Sequence, residues 1–223
     1  NASLATIPIV LTTGELVIDK DLAITGQGQQ KTILDGNAAS RVFRIAEPAI
    51  ASLSSLSIRN GFHQEIVEGP YGEEAISEGG GIYNAGYLTL NDVAILANKV
   101  SGDICEEIYH CWAASSVKGG GIFNRGFLYL NGGTVSQNIA DYPSERTTSG
   151  GGIYNSGHAT LHGSSISGND GFGDRHHGVQ GVGVFNDASG MMIITATAVV
   201  DNYGYSGPAV VNNGEMSLTR CNI

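Results

Sequence analysis

The densest group of side chains able to do chemistry lies in the segment GNDGFGDRHHG. It gathers Asp170, Asp174, Arg175, His176 and His177. Imidazole nitrogens and carboxylate oxygens ligate divalent cations, so Asp170, Asp174, His176 and His177 are the candidate metal ligands. Adjacent histidines in a Gly-rich loop also read as plain surface residues. A second group is Cys105 and Cys111, six apart in DICEEIYHCW. A disulfide between them would suit an oxidising compartment, with two free thiols as the alternative. Zinc is disfavoured, because two further ligands at suitable spacing are not evident. A third group combines acids and aromatics. The segments Gly61–Glu78, Lys99–Lys118, Ile139–Ser149 and Asp170–Gln180 hold 12 of the 21 carboxylates. Tyr109, Trp112, Tyr142 and Phe172 add aromatic surface to them. Aromatic rings and carboxylates together suit a sugar or a protein ligand. Glycoside hydrolysis would need two carboxylates facing one bond, about 5–9.5 Å apart. No acid recurs at one position of successive repeats, so no catalytic residue and no cofactor is assigned.

Composition limits the elements that carry these groups. Gly supplies 33 of 223 residues, and each interior Gly costs a helix about 1 kcal/mol, which excludes a helical bundle. The net charge of −10 makes nucleic acid a poor partner. No apolar run approaches the ~18 residues of a membrane span, so none is expected. Asn1–Val10 lacks the basic start and long apolar run of a signal peptide. A secreted protein would then be represented by its mature form or an excised piece.

A repeat organises the chain. GGGIYNAGYLTLNDVAILAN starts at Gly79, GGGIFNRGFLYLNGGTVSQN at Gly119 and GGGIYNSGHATLHGSSISGN at Gly150. Looser copies start at Gly181 and Gly207. Superposed, the copies give four apolar columns. They are Ile82, Ile122, Ile153, Val184, Val210; Leu88, Leu128, Ala159, Met192, Met216; Leu90, Leu130, Leu161, Ile194, Leu218; and Ile95, Val135, Ile166, Val199, Ile223. A fifth column is Asn84, Asn124, Asn155, Asn186 and Asn212, and Asn98, Asn138, Asn169 and Asn202 form a sixth. Apolar and polar residues alternate, as in Leu88-Thr89-Leu90, which is the period of a strand. One such unit cannot bury its own apolar face, but stacked units can. The expected fold is all-β: a single right-handed parallel β-helix over residues 1–223, with about six or seven coils and long loops on one side. Handedness follows the general crossover preference. The asparagines are expected to adopt the left-handed conformation at corners and to bond their equivalents in adjacent coils.

The motif Gly-Gly-Gly-Ile at Gly79–Ile82, Gly119–Ile122 and Gly150–Ile153 resembles the repeats of polymorphic outer membrane proteins and autotransporter passengers. Those families also carry an F-x-x-N motif. Here Ile95-Leu-Ala-Asn98 and Val135-Ser-Gln-Asn138 have an aliphatic residue in place of Phe. The resemblance implies a secreted or cell-surface location and structural or adhesive work, with no catalytic set to carry over. The last copy is cut at Ile223, and no polar capping helix is evident at either end. Two explanations are open: a piece of a longer β-helix, or subunits stacking end to end with themselves into filaments. The leading functional expectation is a non-catalytic surface scaffold with a glycan or protein ligand on its loop face. The alternative is a carbohydrate-active β-helix, a polysaccharide lyase or glycoside hydrolase, or a glycan-binding module.

Overall fold

The structure, a computed structural model, describes residues 7–69, 72–102, 116–141, 148–172, 180–204 and 207–223. All regular elements among them are strands. Seven three-residue strands stack in parallel, in chain order: Leu16–Ile18, Phe43–Ile45, Ile82–Asn84, Ile122–Asn124, Ile153–Asn155, Val184–Asn186 and Val210–Asn212. Each marks one coil of a parallel β-helix. A larger parallel sheet holds the L-x-L strands, from Ile50–Arg59 and Tyr87–Leu96 through Phe127–Asn131, His158–His162 and Met191–Thr195 to Glu215–Thr219. In it Leu88 pairs with Leu128, then Ala159, Met192 and Met216, in unbroken register. The apolar columns close on one continuous core in which Ile82, Leu88, Leu90 and Ile95 are fully buried. The intervening Thr89 stays partly exposed, as a strand alternation requires.

The Asn columns run as two amide ladders. Asn84 Nδ2 donates to Asn124 Oδ1 at 2.7 Å, Asn124 to Asn155 at 2.7 Å, Asn155 to Asn186 at 2.7 Å and Asn186 to Asn212 at 2.8 Å. The steps are 40, 31, 31 and 26 residues, so the chain between rungs varies while the rungs do not. Coil above, Asn84 pairs with Ile45, and its buried Oδ1 has no donor among the described residues. In the other ladder Asn98 Nδ2 donates to Asn138 Oδ1 at 2.9 Å, Asn138 to Asn169 at 2.9 Å and Asn169 to Asn202 at 2.8 Å. Its first rung is satisfied, because the Gly61 N–H donates to Asn98 Oδ1 at 2.8 Å.

The left-handed corner residues are not the ladder asparagines. At the corner of the second ladder they are the residues just before it, Asn60, Ala97, Gln137, Gly168 and Asp201, with φ between 51° and 62°; at the start of the Gly-rich repeats they are Gly79, Gly119, Gly150 and Gly181. The corner needs one left-handed residue. The ladder needs the next side chain to point inward, so the two duties fall on neighbours.

The stretches expected as loops begin and end as strands. Phe62–His63, Lys99–Ser101, Ile139–Asp141, Asp170–Phe172 and Tyr203–Gly204 form a third parallel sheet. Gly72–Glu78, Ser116–Lys118 and Thr148–Ser149 form a fourth, to which Ile66–Gly69 adds the one antiparallel pairing among the described residues. Val100, Val117 and Ala140 make a small separate core between them. The insertions therefore leave from one stacked sheet and return to another, on one side of the helix.

Candidate functional site

Outside the seven-stranded sheet runs an aromatic column, Tyr83, Phe123, Tyr154 and Phe185. Successive ring centroids are 5.2, 5.3 and 5.2 Å apart. Tyr154 donates its hydroxyl to Asp187 Oδ2 at 2.7 Å, and burial raises its phenol above the usual range. The register brings Arg44 opposite Tyr83, so a guanidinium takes the place of a ring. Its Cζ lies 5.6 Å from the Tyr83 centroid, and the Cζ of Arg41 lies 5.1 Å from it, both within cation–π range.

Two more columns break at the same level. Phe43 pairs with Ile82, so Ser40-Arg41-Val42 stands where the next coil has Gly79-Gly80-Gly81. Arg41 is buried and spends its guanidinium on the coil below, donating Nε to Gly79 O at 2.8 Å and Nη2 to Glu78 O at 2.7 Å. Its Nη1 meets Glu15 Oε2 at 2.6 Å. His63 stands in register with Val100 and Ala140, the small apolar column. Its imidazole is thereby drawn inward, and its Nδ1 accepts the Glu78 N–H at 3.1 Å. A neutral ring accepting at Nδ1 carries its proton on Nε2.

These three departures line one cleft of about 360 Å³ together with Glu65, Glu78 and Ser40. Its electrostatics are set by burial and by the two arginines. Burial, then Arg41 and Arg44, lower His63 to about 4. Burial raises the Glu78 carboxyl, against the pull of Lys118, Arg41 and Arg125 and with the push of Glu65. Ser40 Oγ is buried and has no hydrogen-bond partner among the described residues. Four of the chain's 11 cations, Arg41, Arg44, Lys118 and Arg125, lie along this cleft and the adjoining aromatic column.

The lowered His63 has a consequence for stability. Between about pH 6.5 and 4 the unfolded chain takes up a proton that the folded chain refuses. The His63 contribution to stability therefore falls as pH drops through that window and levels off below it. Allowing for partial exposure, the loss is about 2 kcal/mol. Urea midpoints at pH 7.5 and 4.5 check this: His63→Gln should show a smaller drop than the parent chain. Equal drops would show that His63 does not carry it.

The residues singled out by the sequence lie elsewhere. Asp170 opens the strand Asp170–Phe172 and pairs with Ile139 and Tyr203. Burial raises its carboxyl, the Gly171 backbone hydrogen bond lowers it and Asp141 raises it further. Asp174, His176 and His177 fall outside the described residues, as do Tyr109, Trp112, Tyr142, Cys105 and Cys111. Phe172 is placed only by its backbone, opposite Asp141. Among the described residues no group of three His, Cys, Asp or Glu is arranged to hold a metal. Cys221 is half-buried against the core, with Sγ 3.3 Å from Ile194 O.

Sequence reasoning missed Ser40, Arg41, Arg44, His63 and Glu78. The signal was available in one comparison: Val42-Phe43-Arg44-Ile45 laid on Gly81-Ile82-Tyr83-Asn84 shows a cation in the aromatic column. Compared with protein-family models, curated proteins and solved structures, the chain gives no match.

Proposed function

We propose that this chain is a non-catalytic scaffold of the cell surface or extracellular space, a stiff β-helical rod that presents an adhesive edge. The observation that carries the reading is the stacking of the exit and return strands. Lys99–Ser101, Ile139–Asp141 and Asp170–Phe172 pair coil on coil, as do Gly72–Glu78, Ser116–Lys118 and Thr148–Ser149. Segments of different length are thus mounted side by side on a rigid support, an arrangement that suits recognition. The likeness of the Gly-Gly-Gly-Ile repeats to those of polymorphic outer membrane proteins and autotransporter passengers supports the same location and role.

Beads coated with the full chain test this. Adhesion to cultured cells above that of albumin-coated beads is the expected result. A polysaccharide panel is incubated with the soluble chain in parallel. Failure to adhere, or new reducing ends or unsaturated uronates in the panel, would overturn the reading, and the latter would replace it with an enzyme.

A further inference from the structure

We infer that the cleft between Arg41, Arg44, His63 and Glu78 binds a carboxylate-bearing sugar unit of an acidic polysaccharide. The inference rests on the reading of the chain as a binding scaffold and names the ligand of that scaffold. Three repeat columns, one of glycine, one of aromatic rings and one of small apolar residues, each end on a polar residue at this level. The three substitutes, Arg41, Arg44 and His63, line the same cleft. Arg41 and His63 close the coil edge through their bonds to Gly79, Glu78 and Glu15, and the same residues leave a polar cleft beside it. Arg41 is buried beside the cleft and fixed there by Gly79, Glu78 and Glu15, which makes it a rigid wall.

Charge selects the ligand. The protein carries −10 overall, yet the charges acting on the His63 ring are those of Arg41 and Arg44. Arg41 is committed on all three nitrogens. Arg44 is the more open arm: its side chain is 52% exposed, and its Nη1 makes a long ion pair with Glu15 Oε1 at 3.9 Å, beyond hydrogen-bond reach. A planar guanidinium held over a ring and open to solvent suits a carboxylate. Glu15, Glu65 and Glu78 share the lining with the two arginines, so the attraction for an anion is local to the Arg44 guanidinium and one charge is opposed less than two. Those same acceptors, with the unpartnered Ser40 hydroxyl and the His63 Nε2–H, match a ligand rich in hydroxyl groups. A simple carboxylic acid would leave them unused. The volume, about 360 Å³, is near the small end of the roughly 300–1,000 Å³ of ligand sites, so a sugar unit fits and a long chain would extend outside.

Calorimetric titration of the full chain at pH 7 and low salt tests the inference, with trigalacturonate, neutral galactotriose and glutarate as probes. Trigalacturonate should bind, and galactotriose and glutarate should bind at least tenfold more weakly. Arg44→Gln should weaken trigalacturonate about tenfold, the loss of one charge-assisted contact. Arg44→Lys should recover part of it, and Lys31→Gln, an exposed charge outside the cleft, should change nothing. Far-ultraviolet circular dichroism and thermal melts confirm that the variants fold. If Arg44→Gln does not, the salt dependence of trigalacturonate binding by the parent chain replaces it: binding should weaken about tenfold between low and high salt, and binding unchanged by salt would overturn the inference. Equal binding of galactotriose, equal binding of glutarate, equal losses in Arg44→Gln and Lys31→Gln, or no trigalacturonate binding at 10 mM would each overturn the inference. Bead adhesion is measured on the same preparations. Adhesion without trigalacturonate binding removes only the ligand assignment, whereas absent adhesion removes the scaffold reading.

Discussion

Gly120→Ala is expected to destabilise the protein by about 4 kcal/mol or more, the range reserved for changes that backbone cannot absorb. A Cβ on Gly120 would lie 2.5 Å from Gly151 O and 2.5 Å from Ile139 O, both main-chain atoms of the closely packed corner. Moving Gly151 O disturbs the pairing of Ile122–Asn124 with Ile153–Asn155, and moving Ile139 O disturbs that of Ile139–Asp141 with Asp170–Phe172. Gly132→Ala is the informative comparison. Gly132 has φ +67° and open space around its Cβ position, so alanine there suffers only left-handed strain, about 1–2 kcal/mol. Urea denaturation followed by circular dichroism separates the two. A Gly120→Ala midpoint equal to that of Gly132→Ala would show that the corner is not packed as described.

Asn138→Ala should cost about 3 kcal/mol. Asn138 Oδ1 accepts from both Asn98 N at 3.0 Å and Asn98 Nδ2 at 2.9 Å, and its Nδ2 donates to Ile95 O and Asn169 Oδ1. Truncation leaves the Asn98 backbone N–H and the Ile95 carbonyl without these partners inside a dry interior. Each buried orphan costs about 1–3 kcal/mol. Asn91→Ala removes a chemically similar inter-coil bond, Asn131 Nδ2 to Asn91 Oδ1 at 3.0 Å, but an exposed one. Water replaces that partner, so its cost should stay within about 0.5 kcal/mol. Parallel denaturation curves decide: comparable losses from the two variants would mean that burial does not give the interior ladder its weight.

The coils were legible because the same residue types return at the same place in every turn. Ile82, Ile122 and Ile153 share a column in the sequence and a register in the sheet. The short outer strands were not legible. Lys99–Ser101 and Ile139–Asp141 each bury one apolar side chain, Val100 and Ala140, which gives no alternation to detect. The asparagines were rightly assigned to ladders, but the left-handed turn belongs to Ala97 and Gln137, whose types announce nothing of the kind. The cleft was hidden for a different reason. Its residues are exceptions to the repeat, in the coils where the repeat is hardest to see. Arg41 and Arg44 read as ordinary surface charges until the register sets them against Gly80 and Tyr83.

The two ladders have a direction. Every interior asparagine hands an amide hydrogen to the rung on its C-terminal side and receives one from the rung on its N-terminal side. A coil copied between any two rungs would find a donor on one side and an acceptor on the other. Gene duplication within the ladder region would therefore lengthen the rod without orphaning a single amide. Above Asn84 the pattern ends, because Ile45 offers no amide hydrogen and the Asn84 oxygen stays bare. Below that rung the bonding pattern admits a further coil, and at the level of Ile45 it does not.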